Sequence, residues 1–455
     1  MDLKDIKKVY FIGIGGIGMS AIARYFLGRG VAVYGYDRTP TPLTRSLEAE
    51  GMHVHYHEAI ELVPDDTDLA IYTPAVPASH IAFQALRARG IIPKKRSEVL
   101  GIISREMKTI AIAGTHGKTT TSSLATHLLR SSGIDCTAFL GGIAMNLGSN
   151  FVQGKSDWVV VEADEFDRSF LHLRPDIAGI LSTDADHLDI YGDRQTLLDS
   201  GFRAFARQVK PGGSLWLQQQ IRDQFADLPC TTFGIEDGDC KSTAIHVENG
   251  YFVFDYHSPE VLWKGLQLPL PGRHNVENAT LAISIARQLG ADEASIRQGL
   301  LAFRGVKRRF EAIYRDGEIA YFDDYAHHPT ELKAAISAAR ELFPGKWVTG
   351  VFQPHLFSRT RDFAAGFAEA LDLLDEPILL DIYPARELPI PGVSAGMLQG
   401  LMKNTAVRLL EKTQLIEGLQ NIKPGVLLTL GAGDIDTFVE PIRQMLEQRA
   451  KRQGA

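Results

Sequence analysis

Residues 109–133, TIAIAGTHGKTTTSSLATHLLRSSG, limit what this chain can become more than any other stretch. The apolar, partly β-branched run 109–113 reads as a buried strand and Gly114-Thr115-His116-Gly117 as a turn. From Lys118 onward, Leu124, Leu128 and Leu129 recur at helical spacing. Strand, glycine loop and helix in that order aim several backbone N–H groups at one place, where the helix dipole also favours negative charge. Such a loop holds phosphate. Lys118 can reach the outer phosphates of a nucleoside triphosphate, and the Thr119 hydroxyl can sit on Mg²⁺. The general P-loop has its first glycine where this chain has Ile112; here the glycine comes at 114, so the loop is a shorter variant. Gly114, Thr115, His116, Gly117, Lys118, Thr119 and Thr120 are its candidate nucleotide contacts.

The 455 residues have room for about two to four domains, and 45% hydrophobic with 23% charged residues is the balance of an ordinary globular chain. A net charge of −7 argues against nucleic-acid binding, because no basic surplus exists to displace counterions from a phosphate backbone. Cys136, Cys230 and Cys240 are scattered, with neither disulfide-framework nor zinc spacing, which suits a reducing cytoplasm. The N-terminal apolar stretch is broken by glycines and leads into a helical pattern, not a cleavage site. No apolar run approaches the roughly 18 residues that cross a bilayer, so no membrane insertion is expected.

A second glycine loop opens the chain. Strand 9–12 runs into Gly13-Ile14-Gly15-Gly16-Ile17-Gly18, a helix follows through 21–27, and strand 31–36 ends at Asp37. This is a Rossmann fingerprint with an acid placed for a ribose hydroxyl. Read alone it suits NAD, but any nucleotide pyrophosphate could use the same helix end, and glycines serving only tight strand–helix packing would look alike. Runs at 69–73 and 91–93 read as further strands of this first α/β unit.

The second unit carries acids at strand ends. Run 158–161 delivers Glu162-Ala163-Asp164-Glu165, and run 177–181 delivers Ser182 to His187. In doubly wound sheets ligands gather at the carboxyl ends of strands, so both sets should face the phosphate loop, where one or two such side chains suffice for Mg²⁺. Residues 212–261 read as short alternating strands of an antiparallel edge. A helix follows PGRHNVEN, with Asn275 and Asn278 on one face; two amides there could read an adenine edge or simply cap the helix. A third unit begins near the basic cluster Lys307-Arg308-Arg309. Strand 319–324 ends in Asp323-Asp324-Tyr325-Ala326-His327-His328, strand 347–352 in Gln353-Pro354-His355 with Arg359 and Arg361 beyond, and strands 378–382 and 426–430 repeat the scheme. A lone histidine there is more often structural than ligand-binding, but three of them, on two strand ends read as adjacent and beside arginines, favour a site.

Taken in order, AGTHGKTTT, EADEFDRSF, DADHLDIY, GRHNVENA, DDYAHHPTE and FQPHLFSRT resemble the motifs of the Mur ligases of peptidoglycan assembly, nearest the branch that handles L-alanine. The resemblance implies an α/β chain of three domains. These are a Rossmann-like UDP-sugar domain (1–104), a central P-loop ATPase-like domain (105–306), and a Rossmann-like closing domain that binds the amino acid (307–455). It implies ATP-dependent joining of L-alanine to the carboxylate of UDP-N-acetylmuramate through an acyl phosphate, in the cytoplasm, by a monomer or homodimer. By the same resemblance Lys118, Glu162 and His187 are catalytic, with Thr119, Glu162 and His187 on Mg²⁺. Asn275, Asn278, Arg309 and Asp324 contact ATP; Gly15, Gly18, Asp37, Thr73 and Arg96 hold the UDP-sugar; and Tyr325, His327, His355 and Arg359 take the amino acid. Two positions depart from the family pattern. Phe202-Arg203 stands where several relatives carry a carbamylated lysine, and Leu356 stands where alanine-adding relatives often have a basic residue. The rival within the family is the recycling ligase, which adds a tripeptide to the same sugar nucleotide; Arg359, Arg361 and Tyr383-Pro384-Ala385 favour single alanine.

Overall fold

The computed structural model describes residues 3–453 except His187 and Arg386. By internal contacts the chain divides into two compact units. One runs through Thr243 and adds Tyr256–Lys264 and Glu277–Arg304; the other comprises Ala244–Asp255, Gly265–Val276 and the chain from Gly305 on.

The first unit opens with a five-stranded sheet in the order His53–His55, Ala32–Tyr36, Lys8–Ile12, Leu69–Tyr72, Lys94–Lys95. Every pairing is parallel. Because the first strand is central, the winding reverses at its carboxyl end, and the glycine loop opens in that crevice. The last strand falls at Lys94–Lys95, after the 91–93 run, and leads directly into helix Arg96–Glu106.

In the central sheet Lys108–Ala113 lies between Trp158–Glu162 and Ile177–Ile180, parallel to both. Val159, Val160 and Val161 are fully buried, as a strand covered on both faces requires. Thr137–Ala144, with antiparallel Ser149–Val152, flanks one side. The other side corrects the expected antiparallel edge: Ser214–Gln218 and Thr231–Ile235 join in parallel. The short helix Gln219–Phe225, with Ile221 and Phe225 buried, makes the crossover that parallel pairing needs. Strands Cys240–Glu248, Tyr251–His257 and Leu262–Leu268 complete the ten.

The first two sheets share one hydrophobic core. Helix Ile17–Gly28 sets Tyr25 against Phe139 and Phe151, with ring centroids 5.6 and 6.4 Å apart, and Phe26 on Phe11. The buried Asn150 amide donates to Ile17 O, and Arg24 donates to Asn150 Oδ1.

The sheet of the second unit has the order Glu311–Arg315, Ile319–Asp324, Gly425–Leu430, Trp347–Phe352, Glu376–Leu379, Arg408–Leu409. Its pairings are parallel apart from the first. The histidine-bearing strands are therefore not neighbours, contrary to the sequence reading, because Gly425–Leu430 lies between them. All six of its residues are buried, as a central strand demands. Gly425, at φ +150°, leaves no space for a Cβ against Trp347 O, so only glycine allows this strand to start where it does.

Candidate active site

Gly117, at φ +81°, stands at the N-cap of helix Lys118–Ser131. A Cβ there would lie 2.5 Å from Asn278 Oδ1, and one at Gly114 would lie 2.9 Å from Ser182 N. The loop is thus pressed between the 181–182 strand end and Asn278. Thr115 N–H donates to Ser182 O at 3.2 Å, its hydroxyl donates to Asp184 O at 2.9 Å, and His116 N–H donates to Ser182 Oγ at 3.0 Å. His116 Nε2 lies 3.1 Å from Asp184 Oδ2. So the second acidic strand end does border the phosphate loop; His187 lies outside the described residues.

Lys118 Nζ donates to Gly114 O at 2.7 Å and to both oxygens of Glu165, at 2.8 and 3.0 Å. The lysine side chain is 12% exposed and the glutamate 1%. Burial alone would lower the ammonium pKa, but the carboxylates of Glu165, Asp164 and Glu162 outweigh it and raise it. Thr119 and Thr120 are buried in the first turn. Glu162 accepts Gly141 N–H at 3.0 Å, and a Cβ at Gly141 would collide with its carboxylate. Neither asparagine is an N-cap, since the helix already begins at Arg273. Asn275 donates to Pro271 O at 2.7 Å, whereas Asn278 sits over Gly117.

Around the first glycine loop the structure gathers all five residues singled out there. Gly15 N–H donates to Asp37 Oδ2 at 2.7 Å, so this acid braces the loop itself. A Cβ at Gly13 would lie 2.7 Å from Thr73 Cγ2, and one at Gly18 would lie 3.0 Å from the Arg96 guanidinium.

In the second unit Asp324 is half-buried and accepts the N–H groups of Phe310 and Ala326, each at 2.7 Å. Burial pushes its carboxyl up to about 7, against the pull of Arg309. Arg308 and Arg309 lie over the Tyr325 ring at 5.0 and 5.1 Å, and Arg308 pairs with buried Asp323 at 3.2 Å. His327 N–H donates to Glu331 at 3.0 Å, its ring meets His355 edge-on at 6.2 Å, and His355 stacks on Tyr383 at 5.6 Å. Arg359 is buried in the short helix Phe357–Asp362 that follows Leu356.

Asp167, Arg168, Arg308, Phe310, Leu356 and Ala385 all adopt left-handed φ. Asp167 and Arg168 lie within EADEFDRSF and Leu356 within FQPHLFSRT, while Arg308 and Phe310 flank Arg309; Glu236, Ala244 and Asn249 share the conformation away from these motifs. At the departure from the family pattern the chain forms a π-helical turn, Leu197–Arg203, and Arg203 is engaged by Asp227 at 2.6 Å. The sequence reading missed Glu165 as the partner of Lys118, and it missed Gly141; the second glutamate of EADE was the available signal.

Residues 8–108 match the Mur ligase family catalytic domain, 112–286 the Mur ligase middle domain, and 308–433 the Mur ligase glutamate ligase domain. The chain belongs to the Mur ligase family. Among Mur ligases it is 48% identical to the UDP-N-acetylmuramate–L-alanine ligase of Cytophaga hutchinsonii, over 99% of each chain. The crystal structure of the UDP-N-acetylmuramate–alanine ligase of Thermotoga maritima is similar at a TM-score of 0.83 and 29% identity, covering 97% of this chain and 99% of that one. A murein peptide ligase from Psychrobacter arcticus shares the fold at a TM-score of 0.70 and 21% identity, over 97% of this chain and 98% of that one. The three-domain α/β Mur ligase fold is common to this chain and both of those structures.

Proposed function

We infer that this chain is an ATP-dependent carbon–nitrogen ligase that joins L-alanine to the carboxylate of UDP-N-acetylmuramate in peptidoglycan precursor synthesis. The observation that carries the reading is the end-to-end 48% identity to a ligase of that name. A carboxylate is a poor electrophile until one oxygen becomes a leaving group. The muramoyl carboxylate oxygen takes the γ-phosphoryl group and ADP departs; the amine of alanine then attacks the acyl carbon, and phosphate leaves with the C–O bond electrons. Charge spreads over the phosphoryl oxygens during transfer, so positioned cations carry most of the rate.

Lys118 serves the outer phosphates, and Gly114 to Thr120 cradle them. Asn275 and Asn278 take the adenine, with Arg309 and Asp324 as further nucleotide contacts. Gly15, Gly18, Asp37, Thr73 and Arg96 hold the UDP-sugar, and Tyr325, His327, His355 and Arg359 hold L-alanine, the guanidinium on its carboxylate. Thr119, Glu162 and His187 would hold Mg²⁺, which when bound neutralises phosphate charge. Among the described residues no cluster of three histidines, cysteines or acids is poised for a metal. One hydroxyl and one carboxylate beside the phosphate loop suit a cation whose other ligands are phosphate and water oxygens. The boundaries 1–104, 105–306 and 307–455 divide these tasks. No helix among the described residues is long and apolar enough to cross a membrane, and cytoplasmic action follows from the nucleotide substrates.

The test is phosphate release from ATP, Mg²⁺ and UDP-N-acetylmuramate with L-alanine, L-serine, glycine or the L-alanyl-γ-D-glutamyl-diaminopimelate tripeptide. Release dependent on L-alanine is expected. Release only with the tripeptide would make the chain a recycling ligase instead.

A further inference from the structure

The segment after strand Trp158–Glu162 joins the two glycine cradles, and the chemistry above gives it no task. At one end Glu165, 1% exposed, receives Lys118 on both oxygens. Two residues on, Asp167 Oδ2 lies 3.1 Å from Lys95 Nζ. Lys95 directly precedes Arg96, whose guanidinium rests against Gly18.

The backbone between these pairs has little slack. The Tyr191 hydroxyl donates to Glu165 O at 2.8 Å, and Arg168 lies over the Tyr191 ring at 5.1 Å. Asp167 and Arg168 are both left-handed, at φ 50° and 56°. The turn Phe166–His172 presses on helix Arg96–Glu106 so closely that a Cβ at Gly101 would lie 2.7 Å from His172 O. A displacement at one end therefore reaches the other.

A triphosphate arriving at Lys118 meets an ammonium already paired with a carboxylate. A diphosphate arriving at Gly15 and Gly18 brings negative charge beside Lys95 and Arg96. Phosphate oxygens compete well for such cations. We propose that residues 165–167 form a positioning strut: Glu165 holds Lys118 until the triphosphate displaces it, and release of Asp167 by Lys95 when UDP-sugar binds eases that displacement. The proposal rests on the two-cradle reading given above. Lys95 and Asp167 are 39% and 30% exposed, so their pair supports a linkage of about fivefold at most.

Linkage is reciprocal, which calorimetry can check without turnover. Binding of a non-hydrolysable ATP analogue with Mg²⁺ is measured with and without saturating UDP-N-acetylmuramate, and the converse, in wild type, Asp167→Asn and Lys95→Met. In wild type each ligand should tighten the other by the same factor, about three to five. In Asp167→Asn that factor should fall to near one while each ligand alone binds within about twofold of wild type. Lys95→Met should abolish it too, and decides the matter if Asp167→Asn does not fold. Glu165→Gln should tighten the analogue several-fold yet lower kcat, a split that general damage to the fold does not produce. Equal linkage in the variants, or wild type binding both ligands independently, overturns the strut. Wild type binding neither ligand overturns the two-cradle reading itself, and the strut with it.

Discussion

The two glycine loops share a plan and place their charged groups differently. Each stands at the carboxyl end of a central parallel strand and opens a helix, Ile17–Gly28 in one case and Lys118–Ser131 in the other. In the first, the charged group bound to the loop is an acid, Asp37, and the cation Arg96 reaches in from another element. In the second, the cation Lys118 belongs to the helix itself and the acid Glu165 comes from elsewhere. On the proposed reading, backbone N–H groups with a borrowed guanidinium suffice to grip a diphosphate used as a handle. Transferring a phosphoryl group calls for a cation fixed in the loop's own first turn.

The strongest way to break this contrast is Lys118→Ala. Phosphate release should fall by at least about 10³-fold, while calorimetric affinity for UDP-N-acetylmuramate stays within a few fold; loss of both would merge the two cradles into one site. Stability should drop by about 3 kcal/mol, because a buried carboxylate loses its partner, and adding Glu165→Gln should recover much of it in urea unfolding. Next comes Gly141→Ala, which drives a Cβ into the Glu162 carboxylate. Misplacing that group should lower kcat/KM about 10²-fold, and steady-state rates across Mg²⁺ concentrations would show whether the metal response moves with it. Gly15→Ala sharpens the other side. Its Cβ would lie 2.7 Å from Asp37 Oδ2 and 2.5 Å from Thr44 Cγ2, so KM for UDP-sugar should rise roughly tenfold with KM for ATP unchanged.

A further effect lies outside both loops and is read in stability alone. Burial lifts the Asp324 carboxyl from 3.8 to about 7, so between those values the folded chain keeps a proton that the unfolded chain has released. The resulting stability is fully present below 3.8 and is lost as pH rises through 7. Urea unfolding of wild type should therefore weaken between pH 4 and 7 relative to Asp324→Asn. Matching slopes would mean that the carboxyl ionises as an ordinary one.

Much of this was readable from residue order because it is local. GTHGKTTT and GIGGIG specify loop, helix and anion by neighbours in the chain, and the continuous apolar runs 158–161 and 426–430 mark strands buried on both faces. What escaped depends on distant pairing. Nothing near Gly425 indicates that its strand inserts between two earlier ones, and nothing near residue 219 announces the crossover that makes 214–235 parallel. Glu165 was visible as one acid among the three of EADE, but its choice of Lys118 is a matter of three dimensions. Asp37 has the same limit: its position suits a ribose hydroxyl, but that it also reaches the Gly15 N–H is disclosed only by the fold.

The aromatic seam of Tyr25, Phe139 and Phe151 has a practical consequence. A fragment cut after Ser104 would leave the face of helix Ile17–Gly28 that bears Tyr25 bare to water, together with the polar groups that Asn150 satisfies. The first α/β layer is therefore not detachable in practice: expressed alone it should aggregate, and in the whole chain it should melt in a single transition with the sheet beside it.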